Sequence, residues 1–303
     1  MNKLFSCLAG MLLLLTFSCE KLYLPNEQSK GEDSNGNVTL CVSAFEQMPF
    51  TQLGQQQSLL QLRASRPIKG LCARLNFAVF QNGEKVKNIS QKSDDSGFGT
   101  AKIALAPGDY ELVIVAHNSA GTATISAPND NTFPSNRLTD TVYYNGILTV
   151  TDQSSTLHLN LQRVVAMFRL VLRDETLPLE FAQMKFYYTG GSSTLDATQG
   201  VGAKQSRQTE VFSVADATQD LDGNSVFEVY TFPRPNSDAL KMTVTAQNAA
   251  GAPRLERIFL EVPVVRNQIT QYAGVFFQES GGNAEDITLT ADPEWGGQKN
   301  FVF

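Results

Sequence analysis

The chain has 303 residues, 42% hydrophobic and 18% charged, with 24 Lys+Arg against 30 Asp+Glu and a formal net charge of −6. That length suits about two domains, and the acidic balance argues against nucleic acid as a partner, which would need a concentrated basic face. Two histidines and four cysteines leave little material for zinc, haem or Cys/His nucleophile chemistry, so neither a metal nor another cofactor is expected.

Residues 1–18 read as a secretion signal. Lys3 is a short positive start, and Leu8 to Leu15 is an apolar run too short to cross a bilayer as a helix. Ser18 and then Cys19 follow, the arrangement of a bacterial lipoprotein signal cut before a cysteine whose thiol takes lipid. Thr16 stands where such signals usually carry leucine, and an ordinary secretory signal cut elsewhere is the alternative. Several acyl chains on Cys19 would anchor the chain stably. Residues 19–37 read as a lipidated, polar, flexible tether. Extended, it would reach about 60 Å; as a coil it would span about 20–25 Å.

From residue 38 onward the pattern is that of strands. Leu71, Ala73, Leu75, Phe77 and Val79 alternate with Cys72, Arg74 and Asn76. Leu157, Leu159 and Leu161 alternate with polar neighbours, as do Leu240, Met242, Val244 and Ala246. A period of two predicts strands with one buried and one wet face. Val164 to Leu172 is nearly continuously apolar, which predicts a central strand covered on both faces. Asn82-Gly83, Asn145-Gly146, Asp222-Gly223 and Pro107-Gly108-Asp109 predict turns. Short strands and turns at this density indicate an all-β chain of sandwiches. The segment Val115–Gly121 (VAHNSAG) is similar to Thr245–Gly251 (TAQNAAG) at an offset of 130 residues. This spacing suits two domains of similar size, 38–162 and 163–303, with the boundary where LHLNLQ gives way to RVVAMFRLVL.

Catalytic groupings are not legible. His117 falls in the Asn-containing turn and His158 on the polar face of a strand, and both read as surface residues. Asp220-Leu221-Asp222-Gly223-Asn224 has the glycine and the distal acid of a calcium loop out of place, so it reads as a polar turn. Alternation turns Cys41 and Cys72 away from the core; they are either a disulfide pair or two free thiols. An enzyme is not expected.

The order of segments resembles a known family. A lipoprotein signal and polar tether are followed by LCARLNFAVFQNGEKV, APGDYELVIVAHN, LHLNLQRVVAMFRLVL, TFPRP and VVRNQITQYAGVFF. On these the chain is similar to anchor and assembly subunits of Bacteroidales (type V) fimbriae, within the fimbrillin superfamily. The resemblance implies two tandem transthyretin-like β-sandwiches on a lipid-anchored protein of the cell outer membrane. It implies a surface protein that holds the base of a fimbria, with other fimbrial subunits as partners, joined by β-strand exchange, and outer-membrane lipid as the second partner, through acylated Cys19.

In polymerising relatives a protease cut after a basic residue removes an N-terminal strand. Arg63 and Arg66 in LQLRASRPIKG are the candidates here, and Pro67 protects the bond after Arg66. A solvated loop is the plainer reading of both, and an anchor is expected to stay uncut. Asp140-Thr141-Val142 resembles the short O-glycosylation motif of secreted Bacteroidales proteins, with Thr141 as acceptor; the alternative is the start of a strand. In the last eighteen residues, 286–303, Trp295 and the Phe301-Val302-Phe303 tip either pack back on the second domain or serve a partner. Two other roles stay open: a polymerising stalk or tip subunit, and a glycan-binding surface lipoprotein. The second would need an aromatic platform, and the adjacent pairs Tyr143-Tyr144 and Tyr187-Tyr188 are its candidates.

Overall fold

The computed structural model describes residues 37–46, 68, 70–277, 288–290 and 295–303. Nearly all of the regular structure among them is β. The first half contains β1 (Val38–Glu46), β2 (Arg74–Gln81), β3 (Glu84–Lys92), β4 (Thr100–Ile103) and β5 (Gly108–His117). It continues with β6 (Thr124–Ala127), β7 (Asp130–Thr132), β8 (Thr141–Val150) and β9 (Ser155–Arg163). The second half begins with β10 (Ala166–Leu172), β11 (Gln183–Thr189), β12 (Leu195–Asp196), β13 (Val201–Gly202), β14 (Arg207–Ser213) and β15 (Thr218–Gln219). It ends with β16 (Ser225–Thr231), β17 (Ala239–Gln247), β18 (Pro253–Pro263), β19 (Ile269–Gly274), β20 (Thr288–Thr290) and β21 (Gln298–Val302).

One seven-stranded sheet, ordered β3-β2-β5-β8-β9-β1-β4, makes the first sandwich. β8 and β9 pair only through Val142–Arg163 and Tyr143–Gln162, so the sheet turns a corner there and folds back on itself. Phe77, Leu112, Ile114 and Leu148 of one layer then pack against Val38, Leu40, Ile103 and Leu161 of the other. The second sandwich has two separate sheets, β15-β16-β10-β19-β21-β20 and β14-β11-β17-β18. They enclose Phe168, Phe186, Tyr188, Phe227, Met242 and Phe276.

The two sandwiches repeat one plan. Order β3-β2-β5-β8 corresponds to β14-β11-β17-β18, and β9-β1-β4 to β19-β10-β16. In each, the first strand runs parallel to a late one, β1 beside β9 and β10 beside β19. The similar segments of the sequence end the equivalent strands β5 and β17, at His117 and Gln247. The halves are also fused. Ala78, Phe80, Val113 and Val115, on the outer face of β2 and β5, pack with Phe133, Phe232, Ile269 and Trp295 in a third apolar cluster. A small sheet β13-β12-β7-β6 crosses between them, and the buried Asn131 amide donates to Leu195 O at 2.9 Å.

This third cluster explains one departure from the sequence reading, the burial of the outward side of β2. β2 is buried on both faces: Ala78 and Phe80 pack in the third cluster, and Asn76 is buried against His117 and Ser90. Asn145-Gly146 is not a turn. It lies inside β8, which pairs with β5 from Thr141 to Val150, and the Tyr144 ring lies where a Gly146 side chain would be. The Asn82-Gly83 turn does form, with φ of 52° and 84° joining β2 to β3. The Asp220 segment is a polar turn: the carboxylate accepts the Asp222 and Asn224 N–H groups at 3.0 and 2.8 Å. These bonds and one from the Asn224 side chain hold its pKa below the ordinary value, the side-chain bond most of all.

His117 is fully buried, not a surface residue. Its Nδ1 accepts the Ser119 N–H at 3.1 Å, Asn76 Nδ2 stands 3.3 Å from Nε2, and the ring meets Phe133 edge-on at 5.4 Å. Burial, helped by the Arg74 charge, lowers its pKa from 6.5 to about 4. Between those two values the unfolded chain binds a proton that the fold refuses, so stability falls as pH drops through this window and levels off below it. The full loss at this one site is about 3 kcal/mol. A His117→Gln variant should therefore show a smaller difference in urea midpoint between about pH 7 and pH 4.5 than the parent chain. An equal difference would remove His117 as the cause.

Candidate functional site

Two strand seats and the joint between the halves hold the ends of the described body to its cores. The first seat is that of β1, which lies between β9, parallel, and β4, antiparallel. Val38, Leu40 and Val42 point into the first core and are at most 3% exposed; each contributes about 1.5–3 kcal/mol of apolar burial. Asn37 clamps the entrance. Its side-chain amide donates to Leu105 O at 2.8 Å and accepts the Leu105 N–H at 2.9 Å, while its carbonyl accepts the Ser155 N–H. Asn37, which the sequence assigns to the end of the tether, is thus already part of the folded body. Further along, Val42 N–H donates to Gly99 O at 2.7 Å. Gly99 has a φ of +91°, and a side chain there would collide with the Val42 carbonyl.

The second seat is the far edge of β19, filled by β21 in parallel register from Ile269–Gln298 to Ala273–Val302. Phe301 stacks on Tyr272 with centroids 4.5 Å apart, and Phe303 meets Phe259 edge-on at 5.3 Å. The terminal phenylalanines therefore pack back on the second sandwich. Trp295 is buried too, in the cluster between the halves.

The joint centres on Arg163, 6% exposed at the end of β9. Nε and Nη2 donate to the two oxygens of Asp140 at 2.7 and 2.8 Å, and Nη1 donates to Asn267 Oδ1 at 3.1 Å. The guanidinium carbon lies 4.0 Å from the centre of the Trp295 ring. Asn267, at φ +59°, also takes the Val165 carbonyl with its N–H and gives its own carbonyl to Gly296 N–H. One cation so ties together the approach to β8, the link to β10, the loop before β19 and the segment before β21. Sequence reading missed it, although an arginine flanked by LHLNLQ and VVAMF is a signal of a paired buried charge.

The other predicted positions fall as follows. Cys19, Arg63 and Arg66 lie outside the described residues. Cys41 and Cys72 are both free thiols. Cys41 is on the outward side of β1, as alternation predicts, but Cys72 precedes β2 and turns into the first core. Burial there pushes its thiol pKa up to about 12, with a smaller push from Asp140. Thr141 is fully buried and its hydroxyl donates to Thr139 O at 2.7 Å. A glycan cannot reach it in the folded chain, because Asp140 and Thr141 belong to the joint. His158 is exposed on β9. Tyr188 is fully buried beside an exposed Tyr187, and Tyr143 and Tyr144 are both half-buried, so neither pair offers two open rings.

Residues 67–252 match the family model of fimbrillin-A associated anchor proteins Mfa1 and Mfa2. The chain belongs to this family. Among solved structures it is similar to the fimbrial anchor protein Mfa2 from Porphyromonas gingivalis, at 10% identity over 73% of this chain and 80% of that one, with a TM-score of 0.38. It is similar to a fimbrial assembly protein from Parabacteroides distasonis at 11% identity over 78% and 90%, with a TM-score of 0.40. A candidate adhesin from Bacteroides ovatus matches at 11% identity over 73% and 76%, with a TM-score of 0.46. No curated protein sequence matches the chain significantly. Membership places the chain among fimbrial anchor proteins of the cell envelope, a structural family rather than an enzymatic one, with fimbrial subunits as partners.

Within this member of the anchor family, the joint is expected to contribute to stability through the buried Arg163–Asp140 pair. Removing the Arg163 side chain leaves Asp140, whose side chain is 24% exposed, largely buried and unpaired. Arg163→Leu should therefore cost about 3–5 kcal/mol in urea unfolding. Adding Asp140→Asn should return part of that loss, since the stranded charge is gone. A single variant as stable as the parent would show that the joint is not held by this pair.

Proposed function

We propose that the protein is the membrane-bound anchor of a fimbrium, held in the outer membrane by lipid on Cys19 and joined to its fimbrial partner by β-strand complementation. The observation that supports this reading is the placement of β1. It follows directly on the tether, and it is a central strand with an apolar face rather than an appended one. A pull on the lipid would enter the body at Asn37 and run along β1. The hydrogen bonds to β9 and β4 lie across that direction, so the strand is loaded in shear and its bonds must fail together. An anchor needs such a connection between its tether and its core.

On this reading, processing after β1 is what would distinguish a polymerising subunit from an anchor. Arg63 and Arg66 stand after β1 and before β2 in the chain. A cut at either would sever β1 and the lipid from everything downstream. The groove left between β9 and β4 could then accept a partner's strand, as in polymerising relatives. An anchor keeps β1 and must offer a different edge.

The test is the intact mass of the protein purified from native membranes. The expected species starts at lipidated Cys19 and ends at Phe303. A species starting at Ala64 or Pro67 would overturn the anchor reading in favour of a stalk or tip subunit. A Cys19→Ser variant should leave the membrane fraction, and its retention there would overturn the lipid anchor.

A further inference from the structure

A second binding feature lies on the side of the molecule where the halves meet, and it is independent of β1 and of the lipid. β14 is the edge of its sheet, and among the described residues nothing pairs with its outer side. Along Arg207–Val211 of that edge runs a cavity of about 400 Å³, closed opposite by Ser135, Asn136 and Arg137 of the first half. The size falls within the range of built ligand sites. Ser135 and Asn136 both hold left-handed backbone, at φ 55° and 54°, a conformation that costs free energy for side-chain-bearing residues. The Gln208 side chain donates to Asn136 O at 3.1 Å and so keeps this wall against the strand.

The cavity is rich in donors and cationic. Arg137 Nε bonds Glu210 at 3.0 Å, and its guanidinium lies over the Phe212 ring at 4.9 Å. That seating fixes its orientation while about half of its side chain stays exposed to the cavity mouth. The only lining carboxylate, Glu210, is buried and already bonded to Arg137 and to Tyr188 OH, the latter at 2.9 Å. Arg207 is exposed and has no ion pair or side-chain hydrogen bond among the described residues. A free strand edge offers backbone groups to an extended chain, and paired guanidiniums offer bidentate donors to a carboxylate.

We propose that this groove binds the carboxyl terminus of an extended peptide, with the last residues added to the edge of β14 and the terminal carboxylate held by Arg137 and Arg207. A sugar acid could use the same two arginines, but it would find no open aromatic ring to stack on and no use for the strand edge.

The probe is an N-terminally labelled hexapeptide of alternating threonine and valine, titrated by fluorescence anisotropy against the soluble chain from Asn37 onward with both halves intact. The free acid should bind about tenfold tighter than the same peptide ending in an amide. Arg207→Gln, a change at an exposed position, should erase that difference. Arg254→Gln, on the exposed face of β18, should keep it. Equal binding of acid and amide, no binding of either at millimolar peptide, or indifference to Arg207→Gln would each overturn the proposal. Sialyllactose binding that depends on Arg207 while the peptide does not bind would overturn it too, and would assign the groove to a sugar acid.

Discussion

A single buried cation at the seam fixes how the two sandwiches meet. Taking a guanidinium out of water costs several kcal/mol, and only close, well-directed partners offset it. Arg163 has them: both oxygens of Asp140, the Asn267 amide oxygen and the face of Trp295. Each partner comes from a different stretch of chain. Their positions are therefore mutually dependent, because moving any one leaves a charge short of a partner in an apolar surround. The fully buried link Val164-Val165 passes through the same place. The joint is thus specified by polar geometry and filled by apolar contact, the first fixing direction and the second supplying most of the free energy.

That joint also accounts for how a duplicated plan became asymmetric. The strands of the two sandwiches correspond in order and direction, yet their edges differ. In the first, β9 is paired on that side only at Gln162 and Arg163, where the chain turns the corner into β8. In the second, β19 has no such neighbour, and β21 fills the gap in parallel register. A parallel strand at a sheet edge cannot be supplied by a tight hairpin. The chain instead makes a long return, and Trp295, packed on Arg163, holds that return at its near end. An edge that would otherwise offer unpaired backbone to other chains is covered from within.

What could be read in the sequence follows from what local patterning encodes. Period-two alternation placed β9 and β17, and a continuous apolar run marked β10 as covered on both faces. The VAHNSAG and TAQNAAG segments pointed to a repeated strand, and they do end β5 and β17. Burial by the other half was not legible, since nothing local distinguishes a polar face that meets solvent from one that meets a neighbouring domain. The outward side of β2, with Ala78 and Phe80 in the third cluster, was misread for that reason, whereas His117 and Asn76 are buried against each other and Phe133 within the first half. Cys72 failed differently: alternation was carried past the start of β2, where the chain no longer alternates. Asn145-Gly146 has turn chemistry, but a glycine is equally suited to a place where a neighbouring tyrosine crosses the strand.

The two ends of the described body answer different mechanical demands. β1 is held on both sides, with its apolar residues inside and Asn37 locked to Leu105, so a load entering there meets many bonds at once. β21 is held on its β19 side by five residue pairs and by rings that stack on its neighbours. β20 on its other side adds only Thr288–Thr290. The tether end is thus the more deeply built of the two. A protein fixed to a membrane through its N-terminal side and to a fibre elsewhere carries tension across everything between those points. Where the proposed lipid and fibre attachments lie on opposite halves, that path crosses the seam, with its charge-locked joint and third apolar cluster. A flexible linker between the sandwiches would extend under such a load. A joint whose partners Asp140, Asn267 and Trp295 come from three parts of the chain resists it, because none of these parts can leave without taking a partner from Arg163.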